Sequence, residues 1–164
     1  MTLSLRRHFV AAVLATAAFG VSAHVGRAAG SSGDVTSELK AYRIVEKGGA
    51  EQRLSAERIA PGETLEYEAH YRNTGKRDVR ALQATLPIPA SLVYVAGSAT
   101  PGARASVDGT NFAGMPLKRR VKNADGTFKI VDVPLSQYRY LRWTIGSLPA
   151  GGKVSVQARA RLAR

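Results

Sequence analysis

The strongest constraint on the fold is an alternation of apolar and polar residues with a period of two. It is clearest in "PGETLEYEAHYRNTG", residues 61–75, where four apolar residues alternate with four polar ones from Leu65 to Arg72. Successive side chains of a β-strand point to opposite faces, so one face of this segment is apolar. The pattern predicts a half-buried antiparallel strand, which ends at the turn signal Asn73-Thr74-Gly75.

The same period recurs along the chain between turn signals. Further candidate strands are "ELKAYRIV", "DVRALQATLP", "SLVYVAGSA" and both halves of "YLRWTIGSLPAGGKVSVQARARL". Asp108-Gly109 and Asp125-Gly126 are typical of hairpin turns. No stretch of ten residues has a helical period. The sequence therefore predicts an all-β fold, an antiparallel β-sandwich of about seven to nine strands with Trp143 buried between the sheets.

The N-terminal segment has the pattern of an export signal. Arg6-Arg7-His8 precedes an apolar run, Phe9–Ala23, that ends in small residues. This is the pattern of a signal peptide, and a membrane span would need about 20 apolar residues. We predict a signal peptide at 1–23, a Gly/Ser-rich flexible leader at 24–37 and one domain at 38–164. The arginine pair leaves both general and twin-arginine export open, and the predicted destination is the periplasm, the cell surface or the extracellular space.

Charge and cysteine content narrow the possible partners. The net charge is +12, and after residue 70 sixteen Lys/Arg face only four Asp/Glu. In an exported protein this balance favours lipopolysaccharide phosphates, anionic glycans or phospholipid head groups, and nucleic acid is not expected. The absence of cysteine excludes disulfides, thiol catalysis and zinc–thiolate sites. No second long apolar segment follows, so we expect no transmembrane segment in the mature chain.

Three blocks of the sequence carry a family resemblance. They are "APGETLEYEAHYRNTG", "LQATLPIPASLVYVAGSA" and "LRWTIGSLPAGGKVSVQARARL", in this order across residues 60–162. The chain resembles the bacterial conserved-repeat domain, catalogued as domain of unknown function eleven. The resemblance implies an immunoglobulin-like sandwich, a cell-envelope or secreted location and a structural or adhesive role without catalytic residues. Here a single copy follows a signal peptide, and residues 103–140 are longer and more basic than the family spacing.

That basic insert contains the main candidate binding site. Lys118, Arg120 and Lys122 alternate with other residues, and pairing through the Asp125-Gly126 turn is expected to place Lys129 on the same outward face. Four cations on one hairpin face could hold phosphates or sulfates by charge-assisted hydrogen bonds. The alternative is a solvated edge whose lysines prevent aggregation between edges.

Two histidines remain after signal removal. His70 lies on the polar face of its strand, which predicts a solvated side chain. His24 would become the new N-terminus, where its amine and imidazole could chelate copper. Both are metal candidates only, because a site needs several converging ligands. No cofactor is predicted.

No segment indicates catalysis. The chain has no nucleophile elbow and no Gly-rich phosphate loop before a helix. Glu66 and Glu68 lie about 7 Å apart on one strand face, and exposed glutamates are typical of a solvated surface. We predict a non-enzymatic envelope protein that acts as a structural or interaction module. Its partner is another envelope protein or, as the alternative, an anionic surface polymer. Copper binding through His24 is a second alternative.

Overall fold

Ten strands and one 3₁₀ turn make up the structure, a computed structural model that describes residues 34–164. The predicted signal peptide and His24 lie outside the described residues. The elements are β1 (Val35–Lys47), β2 (Ala50–Ser55), β3 (Thr64–Asn73), β4 (Val79–Pro87), β5 (Leu92–Tyr94), β6 (Arg104–Ser106), β7 (Lys118–Lys122), β8 (Phe128–Asp132), the 3₁₀ turn Leu135–Gln137, β9 (Tyr140–Leu148) and β10 (Lys153–Leu162).

Two antiparallel sheets pack against each other. One has the strand order β2-β1-β3-β10-β5 and the other the order β4-β9-β6, while β7 and β8 form a separate two-stranded hairpin. Eight strands belong to the two sheets, so the hairpin brings the total to ten. This arrangement confirms the predicted immunoglobulin-like antiparallel sandwich.

The alternation seen in the sequence fills the core. In β3, Leu65, Ala69 and Tyr71 are buried, as the period of two requires. Trp143 of β9 is 3% exposed and donates a hydrogen bond from Nε1 to the carbonyl of Thr100 at 2.9 Å. Burying an aromatic ring with its one polar atom satisfied stabilises the core without a desolvation penalty. The predicted burial of Trp143 is confirmed.

The first strand begins earlier than the sequence suggested. β1 starts at Val35, whereas the leader was expected to extend to residue 37. Val35 lies opposite Asn73, and the pairing continues to Ile44 opposite Thr64, so β1 follows the whole length of β3. Val35 and Thr36 are β-branched and favour a strand, although small Gly and Ser residues precede them in the sequence. Local preference and ladder hydrogen bonds to β3 therefore both extend the strand to Val35.

The turn after β3 is built around one buried amide. Asn73 has no exposed surface, and its Nδ2 donates to the carbonyls of Arg77, Leu148 and Pro149 at 2.7, 3.0 and 3.0 Å. Its Oδ1 accepts a hydrogen bond from the amide of Gly75 at 2.9 Å. Asn73 therefore ties the β3–β4 turn to the β9–β10 turn, and the interpretation of Asn-Thr-Gly as a turn is confirmed.

Candidate interaction surfaces

The basic insert forms the β7–β8 hairpin. The two strands pair antiparallel, with Lys118 opposite Asp132 and Lys122 opposite Phe128. In the turn, the Asp125 carboxylate accepts hydrogen bonds from the hydroxyl and the amide of Thr127 at 2.6 and 2.9 Å. These bonds, the hydroxyl contact first, hold the pKa of Asp125 below its ordinary value. The hairpin predicted from the Asp-Gly pair is confirmed.

The register corrects the predicted set of cations. Residues directly opposite each other in an antiparallel pair lie on the same face. Val121 lies opposite Lys129, so Lys129 shares the face of Val121. Lys118, Arg120 and Lys122 lie on the other face by alternation. The prediction that Lys129 joins them is wrong, because the turn length sets the parity between the two strands.

Apolar side chains take the place expected for Lys129. Arg120 lies opposite Ile130 and Lys122 opposite Phe128. Phe128 is 52% and Ile130 62% exposed, the two largest values among the exposed large hydrophobic residues of the described chain. The guanidinium carbon of Arg120 lies 3.8 Å from the centre of the Phe128 ring, in a cation–π contact. We call the surface of Lys118, Arg120, Lys122, Phe128 and Ile130 the outer hairpin face.

The base of the hairpin is fixed to the sandwich. Leu117 and Val133 are buried, and the amide of Val133 donates to the carbonyl of Leu117 at 2.8 Å. The amide of Leu117 donates to the hydroxyl of Tyr138 at 2.7 Å. The Tyr138 ring is fully buried and stacks on Tyr94, with the ring centres 5.7 Å apart. The hairpin therefore leaves the body from a rigid root, and Tyr138 belongs to the core.

An ion-pair network covers the outward face of β3. Glu66 is only 1% exposed and contacts Arg53 of β2 and Arg159 of β10, with Arg159 Nε at 2.8 Å. Arg159 also holds both carboxylate oxygens of Glu51, at 2.9 and 2.8 Å. Its hydrogen bond to Glu51 raises the pKa of Arg159, and the same bond lowers the pKa of Glu51. Glu66 is thus a buried, paired carboxylate, and the expectation of a solvated side chain is wrong.

His70 lies on this same outward face. Its Nδ1 is 3.1 Å from the Ser155 hydroxyl and its Nε2 is 3.6 Å from the Glu68 carboxylate. The side chain is 35% exposed, so neighbours cover part of the ring. Within residues 34–164, no group of three or more His, Cys, Asp or Glu side chains could hold a metal ion. The other histidine candidate, His24, lies outside this range.

The β1–β2 hairpin extends beyond the rest of its sheet. After Ile44, β1 pairs with β2 alone, and in the described chain β2 pairs only with β1. All six residues of β2 are exposed. Leu39 and Leu54 lie on the side that faces the second sheet, yet they are 42% and 40% exposed because that sheet has only three strands. We call β2 with these two leucines the β1–β2 edge.

One apolar cleft lies between β5 and the segments before and after the hairpin. Its volume is about 340 Å³, and Tyr94, Met115, Leu135 and Tyr138 are among its lining residues. The lining contains no carboxylate, histidine or lysine. Burial raises the pKa of Tyr94, so its hydroxyl stays protonated at neutral pH. None of the described residues that line the cleft therefore carries a charge at neutral pH.

Comparisons with protein-family models, curated proteins and solved structures found no match for this chain. Among residues 34–164, no helix has the length and apolar character needed to cross a membrane. The immunoglobulin-like fold therefore rests on the two packed sheets described above. The family resemblance rests on the three sequence blocks.

Proposed function

We propose that the protein is an exported, non-enzymatic interaction module of the bacterial cell envelope, which pairs with another envelope protein through the β1–β2 edge. The sequence supports the location through its signal-peptide pattern and its resemblance to the conserved-repeat domain. The geometry supports the mode of contact. The observation that carries the proposal is an exposed sheet edge without lysine or proline, whose two charged side chains are held in ion pairs within the protein.

A sheet edge that pairs with no other strand is usually protected against unwanted pairing with another chain. Common devices are charged side chains, above all lysine, and prolines, bulges or a covering loop. The sequence of β2, "AEQRLS", contains neither lysine nor proline, and its charged residues Glu51 and Arg53 are ion-paired with Arg159 and Glu66. Its neighbouring surface carries the exposed side chains of Leu39 and Leu54. A strand that pairs with β2 would gain backbone hydrogen bonds along the edge and apolar contacts with these leucines.

The ion-pair network prepares this edge for pairing. Glu51 and Arg53, two of the six residues of β2, are held by Arg159 and Glu66 of the sandwich. The extended backbone of β2 is thereby ordered before any partner arrives. Ordering an interface in advance removes part of the entropy cost of association, which strengthens binding without new contacts.

The test replaces one leucine of the edge by a charged residue. Leu54→Lys places an ammonium group where a partner strand would pack, and natural edges use lysine to prevent pairing in this way. Val107→Lys is the matched control, because Val107 is 45% exposed and Leu54 40% exposed, and Val107 lies outside the edge. The immobilised protein is used to capture partners from an envelope extract at low and high salt.

We expect the wild-type protein and Val107→Lys to retain the same partner at high salt, and Leu54→Lys to lose it. Strand pairing depends little on ionic strength, whereas attraction between exposed charges is screened within about 10 Å at 0.1 M salt. Equal capture by the two variants would refute the role of the edge. Release of all wild-type partners by salt would instead favour charge-driven binding.

The alternative function is binding of an anionic envelope polymer through the outer hairpin face. Three cations, Lys118, Arg120 and Lys122, lie on that face and support this candidate. Cationic side chains bind phosphate and sulfate groups by charge-assisted hydrogen bonds. Copper binding stays a second alternative, which depends on the N-terminal His24 because no metal-ligand group exists around His70 in the described chain.

A further inference from the structure

We infer that the outer hairpin face docks on an anionic phospholipid bilayer, with Phe128 and Ile130 entering the boundary between the head groups and the acyl chains. This contact lies on a surface separate from the β1–β2 edge. The inference depends on the proposed export in one respect only, which is the identity of the membrane that the protein meets.

The first argument is the chemistry of the face. Phe128 and Ile130 are more than half exposed and lie side by side with Arg120 and Lys122. A sulfated or phosphorylated glycan could neutralise the cations but would leave both apolar side chains in water. A bilayer surface offers phosphates and an apolar layer within about 5–10 Å of each other. The bilayer therefore offers a partner for the cations and for the apolar side chains of this face.

The second argument is the balance of charge around the apolar pair. Five Lys/Arg and two Asp occur between residues 118 and 132, and by register three of the cations and Asp132 lie on the same side as the apolar pair. Asp125 is bonded to Thr127 in the turn, and Asp132 lies opposite Lys118 near the root of the hairpin. The cations next to the apolar pair are thus left to face outward. Each cation near an anionic bilayer strengthens binding by about fivefold.

The third argument is mechanical. β7 and β8 pair with each other and with no other strand of the described chain, and the buried residues Leu117 and Val133 hold their root. The face can therefore meet a flat surface without unfolding any part of the sandwich. The outer backbone edges of the hairpin keep unpaired polar groups, which are costly in the hydrocarbon layer. The hairpin backbone is thus expected to stay in the hydrated boundary of the bilayer, where its long side chains can reach the phosphates and the upper acyl chains.

The experiment uses purified processed protein and vesicles alone. Binding is measured by co-sedimentation with phosphatidylcholine vesicles, with and without phosphatidylglycerol. Ile130→Ser is compared with Val107→Ser, since both wild-type side chains are exposed β-branched hydrophobic residues, at 62% and 45%. We expect binding to the anionic vesicles to fall about tenfold in Ile130→Ser, the effect of withdrawing one apolar side chain from the boundary. Val107→Ser should bind as wild type.

A second variant reports depth directly. In Phe128→Trp, anionic vesicles should shift the indole emission to the blue, and lipids brominated near the head of the acyl chain should quench it. The native Trp143 is 3% exposed in the core, so the wild-type protein supplies the background signal. No quenching of the new indole on vesicles that the protein binds would overturn the inference.

A third comparison separates a bilayer from a polyanion. The charge reversals Lys118→Glu and Arg120→Glu together should weaken vesicle binding more than the equal reversals Lys76→Glu and Arg80→Glu. Retention on an immobilised anionic glycan is measured for the Ile130→Ser protein as well. If Ile130→Ser binds vesicles as wild type while the hairpin charge reversals lose binding, the face recognises polyanions and the bilayer inference is overturned.

Self-association through the same face is the remaining outcome. A wild-type protein that dimerises through Ile130 and ignores anionic vesicles would also overturn the inference. The strand-pairing proposal does not affect these results, because no partner protein is present. Conversely, vesicle binding says nothing about the β1–β2 edge, which Leu54→Lys tests separately.

Discussion

Asn73 offers the sharpest test of how the sandwich is held together. The substitution Asn73→Ala removes a side chain without exposed surface, whose two amide hydrogens are shared among three carbonyls and whose oxygen accepts one hydrogen bond. A typical hydrogen bond contributes about 1 kcal/mol net, and three hydrogens are involved, so the expected loss is about 3 kcal/mol. That is a large part of the ~5–15 kcal/mol by which domains are stable. For a domain of this size the melting temperature should fall by about 4 °C per kcal/mol.

The assay is urea unfolding followed by Trp143 fluorescence, with calorimetry for the melting temperature. Asn123→Ala is the matched control, because that asparagine makes one exposed side-chain hydrogen bond, to the Thr127 hydroxyl at 2.9 Å. Its loss should stay below about 1 kcal/mol. If Asn73→Ala is no more destabilising than Asn123→Ala, the buried amide does not link the two turns as described.

A charged substitution adds a pH dependence to this prediction. Asn73→Asp keeps the shape of the side chain but places a carboxylate oxygen against three backbone carbonyls. Burial and these carbonyls disfavour the ionised form, which raises the pKa of the new carboxyl in the folded state. Stability is therefore lowest near neutral pH and recovers as the pH falls and the carboxyl is protonated. A loss that grows in acid relative to wild type would contradict this environment.

Two further predictions concern the core and the processing of the chain. Trp143→Ala should cost about 3–5 kcal/mol in the free energy of unfolding, and a measured loss below about 1 kcal/mol would show that the ring does not fill the space between the sheets. N-terminal sequencing of the exported protein should begin at His24, and a chain that retains Met1 would exclude both the predicted signal cleavage and the copper alternative.

The sequence predicts those features that depend on local alternation. A period of two identifies β3 and β9 and places Leu65 and Trp143 inward, because each residue turns its side chain by half a revolution relative to the last. Asn73-Thr74-Gly75 and Asp125-Gly126 identify turns, because these residues tolerate the backbone angles that turns need. The structure has these features as predicted, because residues that are neighbours along the chain determine them.

Features that depend on pairing between distant segments could not be predicted in the same way. The face of Lys129 follows from the parity between β7 and β8, which the length of the intervening turn sets. The burial of Glu66 follows from Arg53 and Arg159, which belong to β2 and β10. Alternation correctly assigns Glu66 to the outward face, yet it gives no sign that two arginines cover that face. Strand register and cross-strand partners can be read only from the assembled sheet.

The position of β10 limits the order in which the strands of the five-stranded sheet can pair during synthesis. β10 lies between β3 and β5 in the five-stranded sheet, although every other strand precedes it along the chain. During synthesis, β3 can pair with its second neighbour only after residues 153–162 have been made. Until then β5 has no partner in that sheet. The other pairings of the described chain, such as β1 with β2 and β3 and β7 with β8, can form before β10 is made. A chain that ends before residue 153 would therefore leave β5 and one edge of β3 without a partner in this sheet.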